Sequence, residues 1–138
     1  MGNNIDKKVL ILCTGNSCRS IIAEALINES LEGVSSDSSG VKASGKVNVN
    51  AKKLLMDKGI WKEEYHSKTI DTVIDNDYDL VVTVCGHANE TCPMFPKAVN
   101  VIHVGFEDPD GKDFEAFINT YDEIKEVLLP KVKKELGL

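Results

Sequence analysis

The chain reads as an α/β protein, a four-stranded parallel sheet flanked by helices on both faces, and two observations lead there. Short apolar runs rich in β-branched residues, at 9–12, 80–84 and 99–104 with a weaker one at 34–39, alternate with stretches of helical periodicity. The runs at 9–12 and 80–84 are continuously apolar rather than alternating, as strands buried on both faces of a parallel sheet are. The length of 138 residues, 42% hydrophobic and 28% charged, fits one domain over 1–138, and no repeat or linker divides it. A core of that size needs neither disulfides nor a structural metal, so the four cysteines call for another explanation.

The elements follow in order. After the first strand, Ser20 precedes a helical pattern that places Ile22, Ala25 and Leu26 on one side. The weaker strand at 34–39 comes next, and then a helix carrying Ala51, Leu54 and Leu55 that Gly59 closes. Beyond the strands at 80–84 and 99–104, Phe114, Phe117, Ile118, Tyr121, Ile124, Leu128, Val132 and Leu136 recur at intervals of three and four. Pro130 is expected to kink or interrupt that last helix. Parallel α/β sheets bind ligands beyond the carboxyl ends of their strands, so the chemistry is expected just after strands one, three and four.

Charge narrows the classes. The sixteen basic residues are fifteen lysines and the single Arg19, and the net charge is −6. That balance argues against a nucleic-acid partner, which would call for a basic stripe, and against an anionic membrane surface. No segment is apolar enough to span a bilayer or to serve as a signal-peptide core. A cytoplasmic location is expected, where thiols stay reduced and spaced cysteines serve catalysis, redox chemistry or metal binding more often than structure.

Between the first strand and the first helix lies Cys13-Thr14-Gly15-Asn16-Ser17-Cys18-Arg19-Ser20, which is C-x5-R followed by Ser. A loop entering a helix N-terminus turns backbone N–H groups toward an anion. The spacing sets a thiolate at the bottom of that ring and a guanidinium forked onto two oxygens of a tetrahedral oxyanion. The positive surroundings are expected to lower the Cys13 pKa. Residues 14–20 would line the oxyanion site, with Cys18 a packing residue as it enters the helix. The plainer alternative is a buried strand-end cysteine beside a surface arginine. The loop resembles that of the low-molecular-weight protein tyrosine phosphatase superfamily, to which thioredoxin-coupled arsenate reductases belong. The resemblance implies Cys13 as nucleophile and Arg19 as oxyanion holder, with Asn16 and Ser20 shaping the loop.

Two more cysteines, Cys85 and Cys92, follow the third strand seven residues apart. A helix through them would separate their Cα atoms by about 10 Å, beyond the roughly 7 Å that a disulfide tolerates, so bonding them requires the segment to unwind. A relay fits: Cys85 attacks oxidised Cys13, and Cys92 then attacks Cys85 by thiol exchange. A zinc site from Cys85, His87 and Cys92 has the ligand types but an unusual spacing. The C-G-x-A-x-x-x-C-P pattern after L-V-V-T-x-C is similar to the redox segment of thioredoxin-coupled arsenate reductases, which implies Cys85 and Cys92 as the second and third redox cysteines.

Asp108, after the fourth strand, is the candidate general acid, although Asp108-Pro109-Asp110-Gly111 is also good turn composition. The G-F-x-D-P pattern matches the reductases, and Asp110, Gly111 and Lys112 stand where related tyrosine phosphatases carry tyrosines. Some relatives build a cation site whose matching residues are Asn16, Glu24 and Ser38; Lys68 stands where its acidic member is expected, so potassium is expected not to be required. The sequence thus points to a monomeric arsenate reductase with no bound cofactor, reset by thioredoxin. The alternatives are a low-molecular-weight phosphatase acting on phosphate monoesters through phosphocysteine, and a metalloid- or zinc-binding thiol module.

Overall fold

The computed structural model describes residues 7–85 and 99–138. Along the chain lie β1 (Lys7–Cys13), α1 (Arg19–Ser30), β2 (Val34–Gly40), α2 (Val49–Asp57), a single 3-10 turn (Ile70–Thr72), β3 (Leu80–Thr83), β4 (Asn100–His103) and α3 (Phe114–Leu136). The strands form one sheet in the order β2-β1-β3-β4, and every neighbouring pair is parallel. The expected four-stranded parallel sheet is therefore present. β1 and β3 take the centre because their apolar runs tolerate burial from both sides: Val9, Leu10, Ile11 and Leu12 are fully buried, and so is all of β3.

β2 contains little apolar surface, and its place beside β1 is secured by polar satisfaction instead. Ser36 donates through Oγ to the Glu24 carbonyl at 2.9 Å and its N–H meets Asn28 Oδ1 at 2.8 Å. Ser38 donates to Glu24 Oε1 at 2.6 Å. These buried serines face polar positions on α1, which is why the strand signal at 34–39 is weak. β4 is the edge strand opposite β2, and Val101 on it is 44% exposed.

The helices start and stop as their termini dictate. Asn48 caps α2, its Oδ1 accepting from the N–H groups of Asn50 and Ala51 at 2.8 and 3.3 Å. Asp113 caps α3 by accepting from the Ala116 N–H at 3.1 Å, and Gly137 closes it at φ 75° with Lys133 and Lys134 in the last turn. Pro130 lies inside α3 without interrupting it. The carbonyl that loses its intrahelical donor belongs to Glu126, an exposed residue.

Parallel alignment brings all four carboxyl ends to one edge of the sheet, and the pairing continues past the strand ends. The Val84 N–H donates to Leu12 O at 2.9 Å and the Phe106 N–H to Val84 O at 3.1 Å. These bonds set Cys85 beside the end of β1 and the start of the 105–112 loop beside Val84. At the end of β2, a Cβ on Gly40 would stand 2.5 Å from the Thr14 carbonyl oxygen and 3.1 Å from Asn16 Cβ. Gly40→Ala is accordingly expected to cost about 1–3 kcal/mol in urea unfolding and to displace the 13–19 loop; a variant with unchanged stability and loop chemical shifts would contradict the close packing.

Candidate active site

The loop that follows β1 is shaped from outside by the segment that follows β2. The carbonyls of Cys13, Thr14, Gly15 and Ser17 accept from the N–H groups of Val41, Lys42, Ser44 and Asn48 at 3.0, 3.0, 2.9 and 3.0 Å. Ser67 Oγ adds a second donor to Gly15 O at 3.0 Å. In a planar trans peptide the C=O and the next N–H point in opposite directions, so carbonyls drawn outward turn the N–H groups of Thr14, Gly15, Asn16 and Cys18 inward. The Thr14 N–H interacts with the Cys13 sulfur. The result is a ring of amides at the N-terminus of α1, the geometry that receives an anion.

Asn16 locks the ring. It is fully buried and adopts a left-handed backbone, φ 51°, which costs a non-glycine residue about 1–2 kcal/mol. Its Nδ2 donates to Ser20 Oγ at 2.8 Å and to Ser38 Oγ at 2.9 Å, and its Oδ1 accepts from the Lys68 N–H at 2.8 Å. Two buried hydrogen bonds and one part-buried one, at about 0.5–1.5 kcal/mol each, offset that cost. Ser38 in turn donates a hydrogen bond to Glu24 Oε1. Burial pushes the Glu24 carboxyl up to about 7, against the Ser38 hydrogen bond and the Lys68 charge, which pull it down.

Arg19, the first residue of α1, points its guanidinium across to the loop after β4. Nη1 donates to Phe106 O at 3.0 Å and Nη2 lies 3.5 Å from Asp108 Oδ2. The arginine side chain is 12% exposed against 52% for Asp108, so the cation is anchored and the carboxylate stands toward solvent. Arg19 Nε is buried without a protein acceptor, a donor that suits an oxyanion held by the ring. Asp108 Oδ1 accepts from the Asp110 N–H at 3.0 Å, and the Lys112 N–H donates to Pro109 O at 3.0 Å. The turn reading and the placement of Asp108 by the oxyanion loop therefore both hold.

Cys13, Cys18 and Cys85 are buried, and none of the three is in a disulfide. Cys85 hydrogen-bonds with Cys13, and its sulfur lies 3.1 Å from Thr14 Oγ1. The expectation of a depressed Cys13 pKa is reversed in this arrangement. The Cys85 hydrogen bond and then burial hold the Cys13 thiol up, against the Arg19 charge and the Thr14 N–H, which favour the thiolate. Burial pushes Cys18 up to about 11, and its sulfur lies 3.7 Å from Ser17 Oγ, in keeping with a packing role. The relay's outer half, with Cys92 and His87, lies outside the described residues.

Sequence reasoning did not single out Asn48, whose N–H holds Ser17 O and whose Nδ2 donates to Asp110 Oδ1 at 2.8 Å. An asparagine three residues before Ala51 is a helix N-cap signature and could have found it. Ser44, Ser67 and the Phe106 carbonyl were also passed over. Backbone partners chosen by tertiary folding leave no local signal.

A ring of amides closed by Cys13 and an arginine, on a four-stranded parallel sheet, defines a phosphatase-like oxyanion site. The chain belongs to the low molecular weight phosphotyrosine protein phosphatase family, whose model matches residues 8–137. An arsenate reductase of Bacillus cereus is 46% identical over 121 residues, which cover 87% of this chain and 90% of that protein. The solved structure of an arsenate reductase from Archaeoglobus fulgidus superposes with a TM-score of 0.77 at 35% identity, covering 94% of this chain and 99% of that one. An arginine phosphatase from Geobacillus stearothermophilus superposes with a TM-score of 0.74 at 30% identity, covering 94% of each chain.

Two measurements test the electrostatics. Cys85→Ala removes the largest influence raising the Cys13 pKa, so Cys13 is expected to ionise at lower pH and to alkylate faster at pH 6 than in the wild type; an unchanged alkylation profile would contradict the thiol contact. For Glu24, the folded pKa of about 7 lies above the ordinary 4.5, so the fold keeps a proton that the unfolded chain loses. Stability contributed by this group is full below pH 4.5 and declines as pH rises to about 7. Relative to Glu24→Gln, the wild type is expected to lose up to about 3 kcal/mol over that interval in urea unfolding; parallel pH profiles for the two proteins would refute it.

Proposed function

We propose that the protein is a thioredoxin-coupled arsenate reductase, acting as a single-domain monomer in the cytoplasm. The observation that carries the reading is the buried Cys85 thiol against Cys13 and Thr14. Hydrolysis through a phosphocysteine has no use for a second thiol there, whereas reduction needs one. The names of the relatives from Bacillus cereus and Archaeoglobus fulgidus support the same substrate.

Arsenate enters the ring of amides at residues 14–20, and Arg19 pairs with its oxygens. The Cys13 thiolate attacks arsenic, forming an S–As bond while Asp108 protonates the departing hydroxyl so that it leaves as water. Cys85, as thiolate, then attacks the Cys13 sulfur. The S–As electron pair passes to arsenic, arsenite departs, and a disulfide joins Cys13 to Cys85. Cys92 attacks Cys85 in turn, and Cys13 is released as thiolate. The Cys85 to Cys92 disulfide is reduced by the dithiol of thioredoxin.

Potassium has no part in this reading: the Lys68 charge acts on Glu24 as a cation there would, and Asn16 Oδ1 and Ser38 Oγ each accept from a protein donor. Among the described residues no helix is long and apolar enough to cross a membrane.

The family's description and the Geobacillus relative favour one rival, a phosphatase. The two readings separate in a coupled assay with thioredoxin, thioredoxin reductase and NADPH. Arsenate-dependent NADPH oxidation is expected; its absence alongside efficient phosphotyrosine hydrolysis would leave the phosphatase. Cys13→Ser is expected to abolish all chemistry. Cys92→Ser is expected to perform one turnover and stop as a Cys13 to Cys85 disulfide, identified by peptide mass spectrometry. Repeated turnover by Cys92→Ser with thioredoxin would eliminate the relay.

A further inference from the structure

The loop that carries Asp108 is mostly exposed. Glu107, Asp108 and Asp110 face solvent, with Phe106 and Pro109 the buried anchors. Packing alone therefore leaves the Asp108 carboxylate weakly placed, yet its position against Arg19 decides whether it can deliver a proton.

A closed circuit of polar contacts supplies the missing restraint. Ser17 O, in the oxyanion loop, accepts from the Asn48 N–H at 3.0 Å. Asn48 Nδ2 donates to Asp110 Oδ1 at 2.8 Å, and the Asp110 N–H donates to Asp108 Oδ1 at 3.0 Å. Asp108 Oδ2 then meets Arg19 Nη2 at 3.5 Å, two residues from where the circuit began. Each carboxylate oxygen of Asp108 thus has its own partner, which fixes the carboxylate's rotation as well as its distance from the ring.

The chemistry of residue 48 is informative. Capping α2 uses only Oδ1, and serine, threonine or aspartate would do that as well as asparagine. Asn48 does this with two separate atoms, Oδ1 accepting at the cap while Nδ2 reaches Asp110, which aspartate, having no donor, could not do.

We infer that Asn48 and Asp110 form a latch that positions Asp108 over the oxyanion loop, so that both are positioning residues for its proton transfer. The inference rests on the role given to Asp108 above. Because the latch joins the start of α2 to the loop after β4, it also couples the outside strap of the oxyanion loop to the acid.

The test uses the full chain. Asn48→Asp keeps the α2 cap but replaces the donor with a carboxylate facing Asp110, and Asp110→Ala removes the acceptor. Each is expected to lower kcat for arsenate about tenfold while KM changes less than twofold, the scale of a misplaced catalytic group. Asp110→Asn retains the acceptor oxygen and is expected to recover most of the rate. On an Asp108→Ala background neither Asn48→Asp nor Asp110→Ala is expected to lower the rate further, whereas a merely structural role would give the same loss on both backgrounds. An equal loss on both backgrounds, or no loss in the single variants, overturns the latch. Hydrolysis of phenyl phosphate, whose leaving group needs a proton, is measured in parallel with p-nitrophenyl phosphate, whose leaving group does not. If arsenate is not turned over but the variants slow phenyl phosphate selectively and only when Asp108 is present, the latch stands and the reductase reading falls.

Discussion

Everything at the catalytic edge depends on where the carbonyls of residues 13–17 are sent. An amide ring that attracts an anion is an arrangement a free loop would not keep, because its carbonyls would compete for the same interior. Here the segment after β2 takes four of those carbonyls to the outside, and Asn16 holds the one strained residue from within. The strap exists because β2 pairs in register with β1 and ends level with it, Gly40 against Cys13. The polar seam between β2 and α1 is thus a condition for the site rather than a defect in the core. Ser38 belongs to both, since it accepts from Asn16 and donates to Glu24.

The charge balance of the chain fits this local solution. With a net charge of −6, long-range attraction does not bring an anion in. Screening over about 8 Å at physiological salt makes distant carboxylates weak, and a ring of oriented amides acts at contact range. The only arginine in the chain stands at the end of that ring. Lysine could not replace it, because this guanidinium presents nitrogens to Phe106 O and to Asp108 while a third, Nε, stays available.

Much of this was legible in the sequence, and the reasons differ by element. The continuous runs in β1 and β3 announce central parallel strands because burial on both faces leaves no room for alternation. C-x5-R-S after a strand announces the loop because the chain must turn within those residues, and Asp108 is found through its place after the last strand. β2 was faint because its partners on α1 are polar, a fact that no local pattern holds. Pro130 misled in part: its missing hydrogen bond falls on the exposed side of a helix whose apolar face, from Phe117 to Val132, stays packed. The straps on the loop are long-range backbone pairings, and Asn48 was missed for the same reason, since one half of its work is local capping and the other reaches 62 residues away.

The Cys13 and Cys85 contact shows what the sequence could not weigh. The motif announces a nucleophile, and the ring and Arg19 do favour its thiolate. The neighbouring thiol and burial act the other way, and they dominate while no anion is present. The opposition has a chemical logic. A thiol close enough to attack Cys13 later is close enough to hydrogen-bond with it now, so in the proposed relay the second step's reagent quiets the first step's nucleophile. In the proposed reaction an oxyanion entering the ring engages Arg19 and the inward amides, and the S–As bond then removes Cys13 as Cys85's hydrogen-bond partner. On that proposal, proximity that restrains Cys13 at rest becomes, once arsenic is bound, the short path for the second attack.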